Sequence, residues 1–154
     1  MKRNLFLVVF LISIVTHFES IAQKAILKVA CIGDSVTAGY LLSDATNESY
    51  PSQLQILMGR QYEVKNFGHS GATLLKKGSK PYSNTTECAD AIAYRPDIAI
   101  IHFGLNDTDP RNWPNYKEEF DADYTWLIDT LKKQNPAVKI YICRLTPIFN
   151  EHPR

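Results

Sequence analysis

The sequence predicts an α/β fold in three layers, with a parallel sheet between two layers of helices. Three observations carry this. Val29, Ala30, Cys31 and Ile32, and again residues 98–103, are short apolar runs bounded by turn residues, as strands covered on both faces should be. Segments of helical period alternate with such runs, giving strand, helix, strand, helix, strand, helix, strand, which favours a parallel sheet. Glycine-bearing turns follow the first three strands, and open α/β sheets gather their ligands at that edge.

Residues 26–32 make the first strand, and residues 33–47 read as a loop. Tyr50-Pro51 opens a helix, since proline suits a first turn; Leu54, Leu57 and Met58 fall on one face, and Gly59 ends it. Residues 62–67 alternate like a half-exposed edge strand. Residues 73–83 are polar, with Gly78 and Pro81, and read as loop. Asn84 with Glu87 resembles a capping box for a helix running to about Tyr94, closed by Pro96. Residues 97–103 form the third strand, and residues 104–114 a turn-rich loop. Asn115 with Glu118 reads as a further helix start. Phe120, Tyr124, Leu127, Ile128 and Leu131 then form an apolar stripe that Asn135-Pro136 stops. Residues 137–143 are the fourth strand. With no helix pattern after it, the sheet reads as one strand short and bare on part of one face.

The first 22 residues have the layout of a secretory signal peptide: Lys2 and Arg3, then an apolar stretch over 5–15, then Ser20-Ile21-Ala22. An apolar core of about a dozen residues is short for a bilayer span. The expected organisation is therefore a signal peptide at 1–22 and one domain at 23–154. The protein is expected to be exported, to the periplasm or beyond, with no stable membrane insertion after cleavage. Removing the leader leaves 15 basic and 15 acidic residues and no charged run, which argues against a nucleic-acid partner. Cys31, Cys88 and Cys143 are an odd set without metal-ligand spacing, and Cys31 and Cys143 fit as small buried hydrophobes.

The chemistry lies in the three turns. Gly33-Asp34-Ser35 follows the first strand, Gly68-His69-Ser70-Gly71 the second, and Gly104-Leu105-Asn106-Asp107 the third. In a parallel sheet all three meet at one edge, bringing together a hydroxyl, a main-chain N–H and a carboxamide. That is a nucleophile with donors for a tetrahedral oxyanion, each donor worth about 10²–10³ in rate. The alternatives are a turn serine, a turn glycine and a loop-capping amide. Asp34 and Asp107 read as braces for their turns.

These three turns resemble the first three sequence blocks of the SGNH (GDSL-type) hydrolase superfamily, in order and over essentially all of residues 26–147. The resemblance implies a flavodoxin-like sheet, Ser35 as nucleophile, and an oxyanion hole from the Ser35 and Gly68 N–H groups and the Asn106 side chain. It implies no metal or organic cofactor. The wording of residues 66–74 and 106–114 is similar to sialate O-acetylesterase-like members, which implies an O-acylated carbohydrate such as an acetylated sialic acid as substrate. The Asp-x-x-His block, which supplies base and orienting acid in the family, occurs nowhere in the sequence. A serine without its base is a poor nucleophile, so these 154 residues alone are expected to be nearly inactive. His69, His102 and His152 are the candidate substitutes. Arg111, Trp113 and Arg144 are candidate substrate contacts, or else a solvated arginine, rim packing and a neutraliser of loop acid. The competing reading is a non-catalytic carbohydrate- or partner-binding protein that keeps the pocket.

Overall fold

A computed structural model describes residues 25–145. The leader expected at 1–22, residues 146–154 of the expected domain, and with them His152, lie outside the described residues. Four parallel strands form one sheet: β1 (Leu27–Gly33), β2 (Tyr62–Gly68), β3 (Ile98–His102) and β4 (Lys139–Ile142), in the order β2-β1-β3-β4. The flavodoxin-like order and the α/β class expected from the alternation are both present.

One sheet face builds the main core. Ala30 and Ile32 of β1, Phe67 of β2 and Ala99 and Ile101 of β3 pack with Cys88 and Ala91 of one helix and Leu127 and Leu131 of another. Those helices are α4 (Thr86–Tyr94) and α6 (Phe120–Gln134), and the apolar stripe read from sequence is the buried face of α6. The opposite face carries α3 (Tyr50–Met58), whose Leu54 and Met58 meet Val29, Ile98 and Ile100; α1 (Ser35–Ala38) and α2 (Ala45–Glu48) lie between β1 and α3 in the chain. Beyond α3 that face is less covered: Val29, Leu54, Met58, Ile98, Ile100 and Tyr141 line an apolar recess.

Four local expectations are corrected. The loop expected at 33–47 contains α1 and α2, each capped by an aspartate: Asp34 accepts from Val36 N–H and Asp44 from Asn47 N–H. The cap of α4 is Thr85, whose Oγ1 accepts from Cys88 N–H at 3.1 Å; Asn84 ends a 3₁₀ turn, and Glu87 turns instead to His69. The helix expected from Asn115 begins at Phe120, after α5 (Trp113–Tyr116) and a 3₁₀ turn. The fourth strand is shorter than read, at Lys139–Ile142.

The segment at 73–83, read as an ordinary polar loop, is instead part of the interior. Leu74, Leu75 and Tyr82 are buried, and the loop closes on itself through Thr73 N–H to Lys80 O and Tyr82 N–H to Thr73 O, each 2.8 Å. Tyr82 Oη donates to Phe67 O at 2.7 Å, tying the loop to β2.

Candidate active site

The sheet register brings the three turns to one edge. Gly33 pairs with Gly68 on one side and with His102 on the other, so all three strands end at the same level. Ser35 begins α1, two residues beyond that line. Asp34, fully buried, accepts the Val36 N–H at 2.9 Å and lies 4.0 Å from His102 Nδ1. It braces the turn, as expected. The first N–H groups of a helix lack intrahelical partners. Neither the Ser35 N–H nor Ser35 Oγ has a hydrogen-bond partner among the described residues.

Gly68 is required for a steric reason. A Cβ there would run into Ala38 N and would stand 2.7 Å from the Thr37 carbonyl carbon, so α1 packs directly on the strand end. Its N–H, the donor expected from sequence, is engaged by Asn66 Oδ1 at 2.9 Å, while Asn66 Nδ2 donates to Thr37 O at 2.8 Å. Asn66 thus joins the end of β2 to the helix carrying Ser35, and in this arrangement the Gly68 N–H is occupied.

Asn106 lies against a different part of the same turn. Its Nδ2 donates to Ala72 O at 2.9 Å, leaving its second N–H outside that bond. The residue before Ala72 is Gly71, held at φ +82°, whose N–H has no acceptor among the described residues. Gly71 thus offers an unengaged main-chain N–H in the same turn that the Asn106 carboxamide bonds. Sequence reading treated it as a turn glycine, and the residue types of the block do not distinguish the two glycines.

Around Asn106 the loops are locked by side chains. Asp107, fully buried, accepts the Leu74 N–H at 3.1 Å and the Leu75 N–H at 2.8 Å. Burial pushes its carboxyl above the usual range, and the two N–H groups pull back. Asn112 donates from Nδ2 to Asn106 O at 2.9 Å and accepts the Ser79 N–H at 2.9 Å. Asp123 accepts the Lys76 N–H at 2.8 Å. Sequence reading missed Asn112 and Asp123, because their bonds to the Ser79 and Lys76 N–H groups reach more than thirty residues along the chain and leave no local pattern.

His69 and His102 both stand near the strand ends, and neither bonds Ser35 Oγ. His69 Nδ1 meets Glu87 Oε2 at 2.9 Å. For Glu87, burial works upward, but a main-chain N–H and His69 hold its carboxyl below the usual range. Arg111 is closed onto Asp109 by two contacts, Nε to Oδ1 and Nη2 to Oδ2, each 2.9 Å. Trp113 stands 5.5 Å edge-on to Phe120, and Arg144 is exposed beyond β4. None of the three bonds Ser35 or the Asn106 side chain among the described residues. No group of His, Cys, Asp or Glu that could hold a metal ion occurs among them either.

A doubly wound sheet with a capped serine turn, a glycine turn and an asparagine turn at one edge defines the class as an SGNH-type α/β hydrolase fold. The chain belongs to the GDSL-like Lipase/Acylhydrolase family, which it matches over residues 31–154. It is 43% identical over 115 residues, 73% of its length, to an acetylxylan esterase from Xylanibacter ruminicola, and spans 24% of that relative. Among solved structures it is similar to a G-D-S-L family protein from Desulfitobacterium hafniense DCB-2, with a TM-score of 0.56 and 26% identity over 75% of this chain and 57% of that one. The fold is also that of a family two carbohydrate esterase from Cellvibrio japonicus, with a TM-score of 0.60 at 18% identity over 81% of this chain and 44% of that one.

Proposed function

We propose that this protein is an exported serine esterase that removes a short acyl group, acetyl, from a carbohydrate. The observation that carries this reading is the shared level of Gly33, Gly68 and His102, which sets the Ser35, Gly71 and Asn106 turns along one sheet edge. Ser35 Oγ gives its proton to the base and attacks the acyl carbonyl; the ester C–O bond to the sugar then breaks, and the sugar oxygen leaves as a hydroxyl carrying that proton. The oxyanion is held by the Ser35 N–H, the free N–H of Asn106 and the Gly71 N–H, with Gly68 serving as the seat of α1. Water then releases the acyl group from the serine.

A neutral polysaccharide suits the site better than sialic acid. The 43% relative is an acetylxylan esterase, and Arg111, the cation nearest in sequence to Asn106, is already neutralised by Asp109. Export rests on the leader pattern of residues 1–22.

The general base is a histidine outside residues 25–145, since neither described histidine near the edge bonds Ser35 Oγ. A serine left without its base loses about 10⁶ in kcat, by analogy with subtilisin. The same observation favours the second reading, a binding protein with a vestigial serine. A fluorophosphonate probe separates the two. Labelling of the wild type that Ser35→Ala abolishes, with acetate released from acetylated xylan by the full-length protein, supports the esterase. A full-length protein that binds acetylated xylan but neither labels nor releases acetate is the binder.

A further inference from the structure

Beside α1 opens a cleft that the chemistry above does not use. It is an open depression of about 430 Å³ among α1, α2, the start of α3, β2 and Glu87 of α4, within the range of small-ligand sites. Its polar lining is Thr46, Ser49, Ser52, Asn66 and Glu87, and its inner end is Ala38 and Gly68. Ala38 is one helical turn from Ser35, so the inner end stands about 5–6 Å from the nucleophile's own position on α1.

The loop after α1 supplies an apolar rim. Tyr40, Leu41 and Leu42 are 65%, 85% and 43% exposed, an unusual run of apolar side chains to leave in water. The loop is nonetheless fixed. Tyr40 N–H donates to Ser35 O at 3.0 Å, Leu42 N–H donates to Gly39 O at 3.1 Å, and Leu41 is held at φ +69°. A left-handed leucine costs about 1–2 kcal/mol, so the backbone here is imposed by its surroundings. A Cβ at Gly39 would stand 3.0 Å from both Ala45 and Ser49 and 3.3 Å from Leu42. At Gly39, beside Leu42, this loop adjoins Ala45 and Ser49, two residues of the cleft lining.

We propose that this cleft and its Tyr40–Leu42 rim form a subsite for the glycosyl unit next to the acetylated one, an inference that rests on the carbohydrate-esterase reading above. A pyranose ring has an apolar C–H face and an edge of hydroxyls. The apolar loop matches the face; for the edge the cleft offers the Thr46 hydroxyl, the remaining capacity of the Ser49 and Ser52 hydroxyls, which bond each other at 3.1 Å, and the Glu87 oxygen not held by His69, while the Asn66 amide stays engaged with Gly68 and Thr37. A fatty acyl chain in the same place would lay its methylenes on those polar groups and strip them of water without replacing their hydrogen bonds.

The test is affinity electrophoresis of the full chain in gels containing soluble acetylated xylan, with urea midpoints as the folding control. Tyr40→Ala removes the stacking ring, and Thr46→Trp fills the cleft from an exposed position. The expected result is a dissociation constant about five- to tenfold weaker for Tyr40→Ala. Thr46→Trp is expected to run as in a xylan-free gel, and both midpoints should stay at the wild-type value. If the wild type is retarded and both variants bind within about twofold of it, the subsite is overturned and the carbohydrate reading survives. A wild type that is not retarded at all overturns both. Loss of p-nitrophenyl laurate hydrolysis by Tyr40→Ala in the full-length protein, with xylan retardation unchanged, assigns the rim to an acyl chain instead.

Discussion

Replacing Asp107 with asparagine is the most direct test of how the site is held together. The two carboxylate oxygens accept the Leu74 and Leu75 N–H groups at 3.1 and 2.8 Å, in a region where Asp107 and Leu75 are fully buried and Leu74 nearly so. Asparagine has the same shape but only one acceptor oxygen. One main-chain N–H then faces an amide N–H, and two buried donors lack acceptors, at about 1–3 kcal/mol each. The loss is reduced because the carboxyl group is itself penalised by burial, which is why its pKa lies above the usual range. A net destabilisation of about 2–4 kcal/mol follows. For a domain of this size a urea m-value of about 1–3 kcal/mol/M turns this into a midpoint lower by about 1–2 M. Trp126 of α6, which receives Lys76 over its ring at 3.9 Å, reports from the same region in a fluorescence-detected urea titration. An asparagine variant as stable as wild type would falsify the claim that this aspartate clamps the 73–81 loop.

Three further outcomes are expected. Gly68→Ala forces a methyl group into the main chain of α1, costing about 1–3 kcal/mol of overpacking. It should lower the thermal midpoint and slow fluorophosphonate labelling of Ser35 in the full-length protein; unchanged labelling would mean that α1 does not rest on β2 as described. Cys31 and Cys88, pushed by burial up to about 12 and about 11, should resist iodoacetamide at pH 8 in the folded protein and react once urea unfolds it, as peptide mapping by mass spectrometry can check. Glu87→Gln should cost less than about 1 kcal/mol, because the pair with His69 is partly exposed. Since the folded Glu87 carboxyl lies below its unfolded value, its contribution is present above that unfolded value and disappears as pH falls through the folded one. Urea midpoints of wild type and variant should therefore converge on acidification, and a gap that grows in acid would contradict the pairing.

The strands were legible because their signal is local. An apolar run such as residues 29–32 is buried on both faces whatever the rest of the chain does. The alternation with helices then leaves few topologies. What could not be read from the sequence are contacts with distant partners. The 73–81 loop looks polar because its residue types are polar, yet its main-chain donors are taken by Asp107, Asn112 and Asp123. Thr85 and Asn84 are equally good caps by type, and only the chain path out of the 3₁₀ turn selects Thr85. Gly68, at the end of β2, and Gly71, after it, are likewise indistinguishable by type. Their roles separate only when α1 is seen resting on Gly68 and Asn106 reaching Ala72.

These contacts divide the site into two mechanical units. The turns after β2 and β3 form one block: Asn106 is bonded to Ala72, Asn112 joins Asn106 to Ser79, and Asp107 holds Leu74 and Leu75. The Ser35 turn belongs to the other unit, joined to the sheet by Asn66 Nδ2 on Thr37 O, by the contact of α1 with Gly68, and by His69 N–H on Gly33 O at 2.9 Å. Stabilising an oxyanion requires donors that do not reorganise during reaction, so the first block must stay rigid on its own account. On the roles proposed for Ser35 and Asn106, the serine needs only a fixed relation to that block, and the common level of the strand ends supplies it. On this division, changes at Asn112 should impair oxyanion stabilisation more than substrate retention, whereas changes at Asn66 should displace the nucleophile itself.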